Sequence, residues 1–404
     1  MEGRLRPVAW RNGLPPRAAR AHERCMDRAL RLARQGLGFT SPNPAVGAVV
    51  VRRGRVIGEG FHRRAGSPHA EVEALGQAGS RSRGATLYVT LEPCNHTGRT
   101  PPCCDAILAS RVSRVVVAAR DPNPLTDGRG IARLRRAGVL VVTGVRAREA
   151  MALNEPFWKA MRSGLPLVIA KVGQSLDGKI ATASGHSRWI TSPAARRLAH
   201  QWRGRVDALL VGVNTVRRDD PLLTARGAAH RPGRPIKVIV DSRLRTPLRA
   251  RCLSARSPAP TLIATCVAPR RKGAAVRPKR QAEAWRRRGV EILPFPARQG
   301  RVPLRRLLRV LARRGIQSVL IEGGAEVLAS AFAERVVDRI VFFVAPLLIG
   351  GRTSPGALGG SGASGLSRAV RLADVSYRRI GPDLCVEARV VYPAAARGRA
   401  RAPR

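Results

Sequence analysis

The sequence is poor in acidic and aromatic residues, and these shortages bear on the class of partner. It has 26 Asp and Glu against 74 Lys and Arg, which gives a formal net charge of +48 over 404 residues. A nucleic-acid partner would account for such a charge. However, aromatic residues make up only 4% of the chain, whereas binders of single-stranded nucleic acid stack bases on aromatic side chains. Because arginines are spread along the whole chain, we interpret the charge as a bias of composition and expect no nucleic-acid partner. Small substrates that carry a phosphate would still be attracted by this charge.

Long apolar runs are also missing. No run is long enough to span a bilayer, so we expect no membrane partner. Residues 1–24 are rich in Arg and Pro but lack the apolar region of a secretory signal. We therefore expect a cytoplasmic protein with a basic leader, and an organellar transit peptide is the alternative.

Cysteine usage points to a metal site rather than to disulfides. There are seven cysteines, and Cys94, Cys103 and Cys104 lie close together in the sequence. An odd number with one cluster is typical of a reducing compartment and not of a small disulfide scaffold.

The length and the 44% of hydrophobic residues predict two domains, each with its own core. Strands alternate with helices in both halves, which predicts α/β sheets with crossovers. The predicted strands of the first half are residues 46–51, 56–61, 86–91, 115–119 and 139–142. Those of the second half are 167–172, 208–213, 236–240, 261–265, 290–293 and 318–321, with a late antiparallel edge at 340–349 and 385–391. The predicted divisions are a basic leader (1–20), a first domain (21–150), a joining helix (151–164), a second domain (165–392) and a basic tail (393–404).

The first half contains a set of residues suited to binding zinc. His69 is followed by Glu71, and Cys94 and Cys103 come later in the chain. One imidazole and two thiolates suit zinc, and a fourth position left for water makes the site catalytic. Glu71 would carry protons between water and a leaving amine. Residues two apart do not share one side of a helix, so this requires that the end of the helix faces the metal.

Other residues near this set have two interpretations. Cys104 would point about 100° away from Cys103 on a helix, which favours buried packing. His96 could be a fourth ligand or a loop contact. His62 is expected to be a structural hydrogen bonder. Asn43 could bind the edge of a pyrimidine substrate or hold a turn.

The zinc deaminase signature combines His-x-Glu with a later Pro-Cys-x-x-Cys, whereas here eight residues separate the two cysteines. This longer spacing, together with residues 40–50 and 62–71, resembles the deaminase half of bifunctional riboflavin biosynthesis proteins. The resemblance implies a cytidine-deaminase-like three-layer domain. It also implies hydrolysis of the exocyclic amine of a diaminohydroxypyrimidine that carries a ribosylamino phosphate.

The second half has no Gly-x-Gly-x-x-Gly fingerprint, but polar residues follow several of its predicted strands. Open α/β sheets bind ligands at such strand ends. Residues 171–191, 211–226 and 319–325 are similar to the reductase half of the same family, which implies a dihydrofolate-reductase-like fold and NADPH. The cofactor-binding residues implied by the resemblance are Gly173, Trp189, Thr215, Asp219, Ser242 and Gly324. The implied substrate-binding residues are Ser187, Arg203, Leu222, Arg226 and Glu322.

Among these, Arg203 and Arg226 suit a phosphate, and Asp219 is the candidate for the hydride step. The sequence thus predicts a zinc-dependent deaminase fused to an NADPH-dependent reductase that converts the ribosyl side chain to ribityl, and we expect a homo-oligomer. Two alternatives are a nucleic-acid zinc deaminase with an accessory domain and a deaminase whose reductase half is inactive.

Overall fold

A computed structural model describes residues 16–227, 235–254, 259–267 and 276–394. Most of the predicted leader and tail therefore lies outside the described residues. Residues 16–20, which we assigned to the leader, are instead the first turns of a helix. No helix in the described ranges combines the length and the apolar character that a membrane crossing needs.

The chain forms two compact units. Unit 1 comprises residues up to Pro166 and the short segment Ala312–Gln317, and unit 2 comprises Leu167–Leu311 and the residues from Ser318 onward. The strands of unit 1 are β1 (Gly47–Arg52), β2 (Arg55–Phe61), β3 (Thr86–Leu91), β4 (Arg114–Ala119) and β5 (Leu140–Thr143). Its helices are α1 (Pro16–Gln35), α2 (Ala70–Ala78), α3 (Cys103–Ala109), α4 (Arg129–Arg136), α5 (Ala147–Leu153) and α6 (Glu155–Ser163).

The sheet of unit 1 lies between two layers of helices. Its strand order is β2-β1-β3-β4-β5, with β1 antiparallel to β2 and β3, and with β3, β4 and β5 parallel. Alternating residues face opposite sides of a strand, so Val49 packs with Leu30 of α1 while Val50 packs with Ala74 of α2. The predicted strands and the predicted three-layer architecture are confirmed.

The predicted joining helix differs in the structure. It consists of two helices, α5 and α6, that meet at Asn154. The Asn154 side chain accepts a hydrogen bond from Ala45 N at 2.7 Å and donates one to Ala45 O at 2.9 Å. Phe157 and Trp158 of α6 are buried in the core that α1 covers. This segment is therefore part of the core of unit 1.

Gly47 lets α1 approach β1 closely, and we predict that Gly47→Ala destabilises unit 1. An added Cβ would lie 2.1 Å from Ala29 O and 2.7 Å from Ala33 N, both in the backbone of α1. Overpacking of this kind costs about 1–3 kcal/mol, which urea unfolding would measure. The control is Gly76→Ala in α2, where the added Cβ meets nothing within 4 Å and where we expect a gain of about 0.5–1 kcal/mol. Unchanged stability of Gly47→Ala would contradict the close packing.

Unit 2 is built around a nine-stranded sheet. Its strands are β6 (Leu167–Ser175), β7 (Ala208–Gly212), β8 (Ile236–Val240), β9 (Thr261–Thr265), β10 (Val290–Pro294), β11 (Ser318–Glu322), β12 (Arg339–Ala345), β13 (Arg371–Ile380) and β14 (Asp383–Val391). Its helices are α7 (Pro193–Arg205), α8 (Val213–Asp219), α9 (Val276–Arg287), α10 (Leu304–Arg313) and α11 (Ala325–Ala333).

The strand order of unit 2 is β10-β9-β8-β7-β11-β6-β12-β14-β13. The strands from β10 to β12 in this order are parallel. β14 pairs with β12 in antiparallel orientation, as the sequence predicts, and β13, which the sequence does not predict, extends this antiparallel edge. Because β8, β7, β11 and β6 are parallel neighbours, their carboxyl ends lie along one edge of the sheet. A ligand site at this edge can therefore draw residues from four strands.

Candidate functional site

In unit 1, the end of α2 brings His69 and Glu71 to the same place. His69 is the N-cap residue and has an extended backbone, with φ −77° and ψ 161°, whereas Glu71 lies in the first helical turn. The geometric requirement for the pair is therefore met, because the helix begins between them. Glu71 is buried, and burial raises the pKa of its carboxyl.

The two cysteines converge on His69 from different elements. Cys94 follows β3, and Cys103 is the first residue of α3. His69 Nδ1 lies 3.0 Å from Cys103 Sγ and 3.7 Å from Cys94 Sγ, and the Cys103 backbone N–H donates to Cys94 Sγ at 3.3 Å. The hydrogen bond from the Cys103 thiol and the one from His69 lower the pKa of Cys94.

These three residues fit a zinc ion by their donor set. One ligand atom from each of His69, Cys94 and Cys103 lies within 4.8 Å of the others. A nitrogen and two sulfurs form the mixed set that zinc prefers, and three protein ligands leave a position for a reactant. Glu71 and Cys103 each shift the pKa of the other, so the Glu71 carboxyl lies next to the same cluster.

Two polar residues support this cluster from the side. Asn43 Nδ2 donates to His62 Nε2 at 3.1 Å, and His62 Nδ1 donates to Pro68 O at 3.1 Å. The His62 and His69 rings contact edge to face, with 5.1 Å between their centroids. His62 thus connects Asn43 to the residue before His69. The Asn43 amide nitrogen is engaged in this connection.

Cys104 points away from the three candidate ligands. Its thiol contacts Pro93 O at 3.7 Å and Gly130 O at 3.8 Å, and the residue is fully buried. Burial raises the pKa of Cys104 to about 12, so it stays protonated. All seven cysteines lie in the described part of the chain and are free.

In unit 2, Arg203 and Glu322 form the centre of a buried charged cluster. Arg203 on α7 donates to both carboxylate oxygens of Glu322, at 2.8 Å and 2.6 Å. Lys171 Nζ on β6 lies 3.6 Å from Glu322 Oε2. Burial alone would raise the pKa of Glu322, but Arg203 and Lys171 outweigh burial and lower it to about 2. Glu322 is therefore ionised and paired with Arg203, whereas burial lowers the pKa of Lys171.

The sequence interpretation missed two members of this cluster. The sequence assigns no role to Lys171 or to His200. His200 precedes Arg203 by one helical turn, and Arg203 Nη1 donates to Thr224 O at 3.0 Å. Burial, with the charges of Arg203 and Arg226, lowers the pKa of His200 to about 4, so it is neutral near pH 7. The spacing of His200 and Arg203 by three residues on one helix was the available signal.

The other predicted residues of unit 2 fall into small groups, of which Ser242 and Gly324 follow strands of the sheet. Gly324 caps α11 with φ 82°, and a Cβ there would lie 3.3 Å from Thr215 Oγ1. Ser187 Oγ contacts Asp219 Oδ1 at 3.4 Å. A Cβ on Gly173 would lie 3.1 Å from Thr191 Cγ2, and Ser242 Oγ accepts a hydrogen bond from Val302 N at 3.3 Å. The guanidinium carbon of Arg196 lies 4.3 Å from the centroid of the Trp189 ring. Leu222 directly precedes the buried Leu223.

Ser242 and Gly324 belong to different groups, because the strands that they follow are not neighbours in the sheet. Ser242 follows β8 and Gly324 follows β11, and β7 lies between these strands. Two strand spacings amount to about 10 Å, which an extended dinucleotide can span. Trp189 is 68% exposed, so one face of its ring is open to a ligand.

Glu322→Gln is expected to destabilise unit 2 in a pH-dependent way. Removing the anion leaves the buried Arg203 and Lys171 without their partner, at a cost of about 3–5 kcal/mol near neutral pH. Because the pKa of Glu322 in the folded state lies below its usual 4.5, its stabilisation is present above that value and disappears as the pH falls towards 2. Urea unfolding should show that the difference in free energy of unfolding between the unmodified protein and Glu322→Gln becomes smaller as the pH falls over this range. A difference in unfolding free energy that does not change with pH would contradict the ion pairing. The control is Glu283→Gln, at an exposed position of α9.

Comparison with known proteins places each unit in a family. Residues 166–386 match the family described as RibD C-terminal domain, and residues 19–119 match the cytidine and deoxycytidylate deaminase zinc-binding region. The riboflavin biosynthesis protein RibD of Aquifex aeolicus is 43% identical over 361 residues, which cover 89% of this chain and 96% of that protein.

Solved structures agree over both units. RibD of Acinetobacter baumannii (form 1) superposes with a TM-score of 0.82 at 37% identity and covers 92% of this chain and 99% of its own. The Thermotoga maritima diaminohydroxyphosphoribosylaminopyrimidine deaminase/5-amino-6-(5-phosphoribosylamino)uracil reductase gives a TM-score of 0.78 at 35% identity, with 92% and 99% covered.

Proposed function

The chain belongs to the RibD family of riboflavin biosynthesis proteins, and from this membership we propose which of its residues carry out the two reactions. The protein is a bifunctional enzyme that deaminates a phosphoribosylaminopyrimidine and then reduces its ribosyl side chain. Its cofactors are zinc and NADPH. The proposed divisions are the deaminase domain at 21–150, extended by the first turns of α1 from Pro16, a joining segment at 151–164 that packs in the core of unit 1, and the reductase domain at 165–392.

In the deaminase half, His69, Cys94 and Cys103 hold the zinc and Glu71 moves the protons. The zinc ion, when bound, supplies the Lewis acidity that makes water a nucleophile near neutral pH. Glu71 accepts a proton from the attacking water and donates one to the amine, which leaves as ammonia. Burial raises the pKa of Glu71, which suits a group that must both take up and release a proton. Asn43 holds the pyrimidine through its amide oxygen.

In the reductase half, the buried charged cluster holds the phosphorylated substrate. Arg203 and Arg226 would bind its phosphate, and Glu322 and Ser187 would accept hydrogen bonds from its hydroxyls. Leu222 adds an apolar contact. Lys171, whose ammonium lies beside Glu322, belongs with this substrate site.

The cofactor would lie along the edge formed by the strand ends. Gly324 and Thr215 take its phosphates, because a glycine before a helix leaves room for a phosphate at the helix N-terminus. Gly173, Trp189 and Ser242 contact it elsewhere. Asp219 would lie at the reacting end, beside Ser187. NADPH supplies the hydride.

The convergence of His69, Cys94 and Cys103 beside a buried glutamate carries the deaminase proposal, and metal analysis of variants tests it. We expect one zinc per chain, lost with ammonia release in His69→Ala, Cys94→Ala and Cys103→Ala. The matched control is Cys104→Ala, which should keep its zinc because its thiol points away from the cluster. Retention of zinc by Cys94→Ala would reject the assignment.

We further propose a cytoplasmic homo-oligomer that binds no nucleic acid. Seven free cysteines fit a reducing compartment. Light scattering tests the oligomer, and fractionation tests the location. Filter binding with single-stranded DNA and with RNA at physiological salt tests whether the protein binds nucleic acid, and tight binding would refute the proposal that it does not.

A further inference from the structure

The spacing of the two cysteines means that no single short turn holds the Cys94 and Cys103 sulfurs together. A Pro-Cys-x-x-Cys segment holds both sulfurs on one short turn, whereas here eight residues separate them. We infer that α4 supplies the missing constraint by binding the chain on both sides of Cys94. Glu92 and Arg133 are then positioning residues for the zinc site. This inference rests on the proposed zinc-binding role of Cys94.

Glu92, which lies two residues before Cys94, binds the start of α4. It is 3% exposed and follows β3 directly. Its carboxylate accepts three backbone N–H groups: Asp121 N at 3.1 Å, Gly128 N at 2.9 Å and Ile131 N at 3.1 Å. A buried carboxylate needs such donors, and the free N–H groups of a helix start provide them. Glu92 thus fixes the end of β3 to α4.

Arg133 binds the chain on the other side of Cys94. Its Nη1 donates to Asn95 Oδ1 at 2.8 Å, and its Nη2 donates to Asp105 Oδ1 at 2.5 Å. Asp105 lies in the first turn of α3, two residues after Cys103. One guanidinium therefore connects the residue after Cys94 with the helix that begins at Cys103.

Close packing between these two contacts fixes the distance of α4 from the Cys94 segment. A Cβ on Gly130 would lie 2.0 Å from Pro93 O, so only glycine allows this approach. The Cys104 thiol bridges the same two residues through Pro93 O and Gly130 O. Cys104 N also donates to Cys94 O at 3.2 Å.

Cys94 is thus held by residues 92, 93 and 95, all of which contact α4 or α3. These contacts restrict the positions that the Cys94 sulfur can take, which lowers the entropy that metal binding must overcome. Loss of such supporting contacts typically weakens metal affinity by about 10- to 100-fold. The zinc affinity, and not the proton chemistry of Glu71, is the property that these contacts set.

Zinc competition on the full-length protein tests the inference with Glu92→Gln and Arg133→Met. We expect about 10- to 100-fold weaker zinc binding for Glu92→Gln and a smaller loss for Arg133→Met, both against a chelator of known affinity. In the cobalt-substituted protein, the thiolate charge-transfer and d–d bands should shift, because the sulfur changes position. Reductase activity should be unchanged in both variants.

The controls are Glu149→Gln on α5 and Arg136→Met on α4, whose side chains are exposed and lie away from Cys94. Both should keep the zinc affinity and the cobalt spectrum of the unmodified protein. Where Glu92→Gln unfolds the metal-free domain, as judged by circular dichroism, the more exposed Arg133→Met decides. Unchanged affinity and an unchanged cobalt spectrum in Arg133→Met, or in a folded Glu92→Gln, would overturn the inference. Zinc retained by Cys94→Ala would instead reject the proposed zinc site itself.

Discussion

Glu71→Gln is expected to reduce the rate of ammonia release by at least about a hundredfold while one zinc per chain remains bound. General acid–base groups contribute about 10²- to 10⁴-fold to such reactions, and glutamine cannot take up a proton from water. Zinc stays because Glu71 is not among the three clustered donors. Ammonia release and zinc content measured on the same preparation provide the test.

The matched control for this variant is Glu73→Gln in the same helix. The Glu73 carboxylate binds Phe61 N at 3.4 Å and Arg63 Nε at 3.1 Å, away from the three donors. The Glu73→Gln variant should keep nearly full deaminase activity. Both variants should reduce the deaminated substrate at the normal rate. Near-normal ammonia release from Glu71→Gln would remove Glu71 from proton transfer.

Arg226→Ala is expected to raise the KM of the reductase for its phosphorylated substrate by about 10- to 100-fold with a smaller change in kcat. The variant loses a charge-assisted hydrogen bond to the phosphate, and the loss of about 1.5–3 kcal/mol of binding free energy corresponds to this change in KM. Arg226 is exposed, so its loss should leave the stability of unit 2 nearly unchanged. Steady-state kinetics with the deaminated phosphorylated pyrimidine provide the measurement.

An unphosphorylated substrate separates phosphate binding from other causes. Arg226→Ala and the unmodified protein should reduce it with equal kcat/KM, since the contact with the phosphate is then absent in both. Arg217→Ala, which removes an exposed arginine from α8, is the matched control. Equal losses on both substrates would assign Arg226 a structural role. Arg203→Ala is less informative, because Arg203 also pairs with the buried Glu322.

Most of the strands could be predicted from the sequence because they are short, β-branched and buried. The strands β8 and β9 begin and end at the predicted residues. In contrast, β13 was not predicted. It lies at the edge of the sheet with most of its residues exposed, so its sequence lacks the alternation that a half-buried strand shows.

The zinc cluster was predicted from residue types and spacing, because metal ligands leave a local signature. The side chains that support it leave none. Glu92 and Arg133 are 41 residues apart in the sequence, and charged residues are common in this chain. Only the fold shows that Glu92 binds the start of α4 and that Arg133 reaches Asn95. The same reason explains why Lys171 and His200 were missed in unit 2.

The most direct test of the two-reaction account is a coupled assay with purified full-length protein. The diaminopyrimidine phosphate and NADPH are supplied together, and ammonia release and NADPH oxidation are followed separately, with and without a zinc chelator. The account predicts that chelation stops ammonia release and that NADPH is consumed only after deamination. In the presence of chelator, the deaminated substrate should still oxidise NADPH. Ammonia release without any NADPH oxidation would contradict the assignment of unit 2, and ammonia release that survives removal of zinc would contradict that of unit 1.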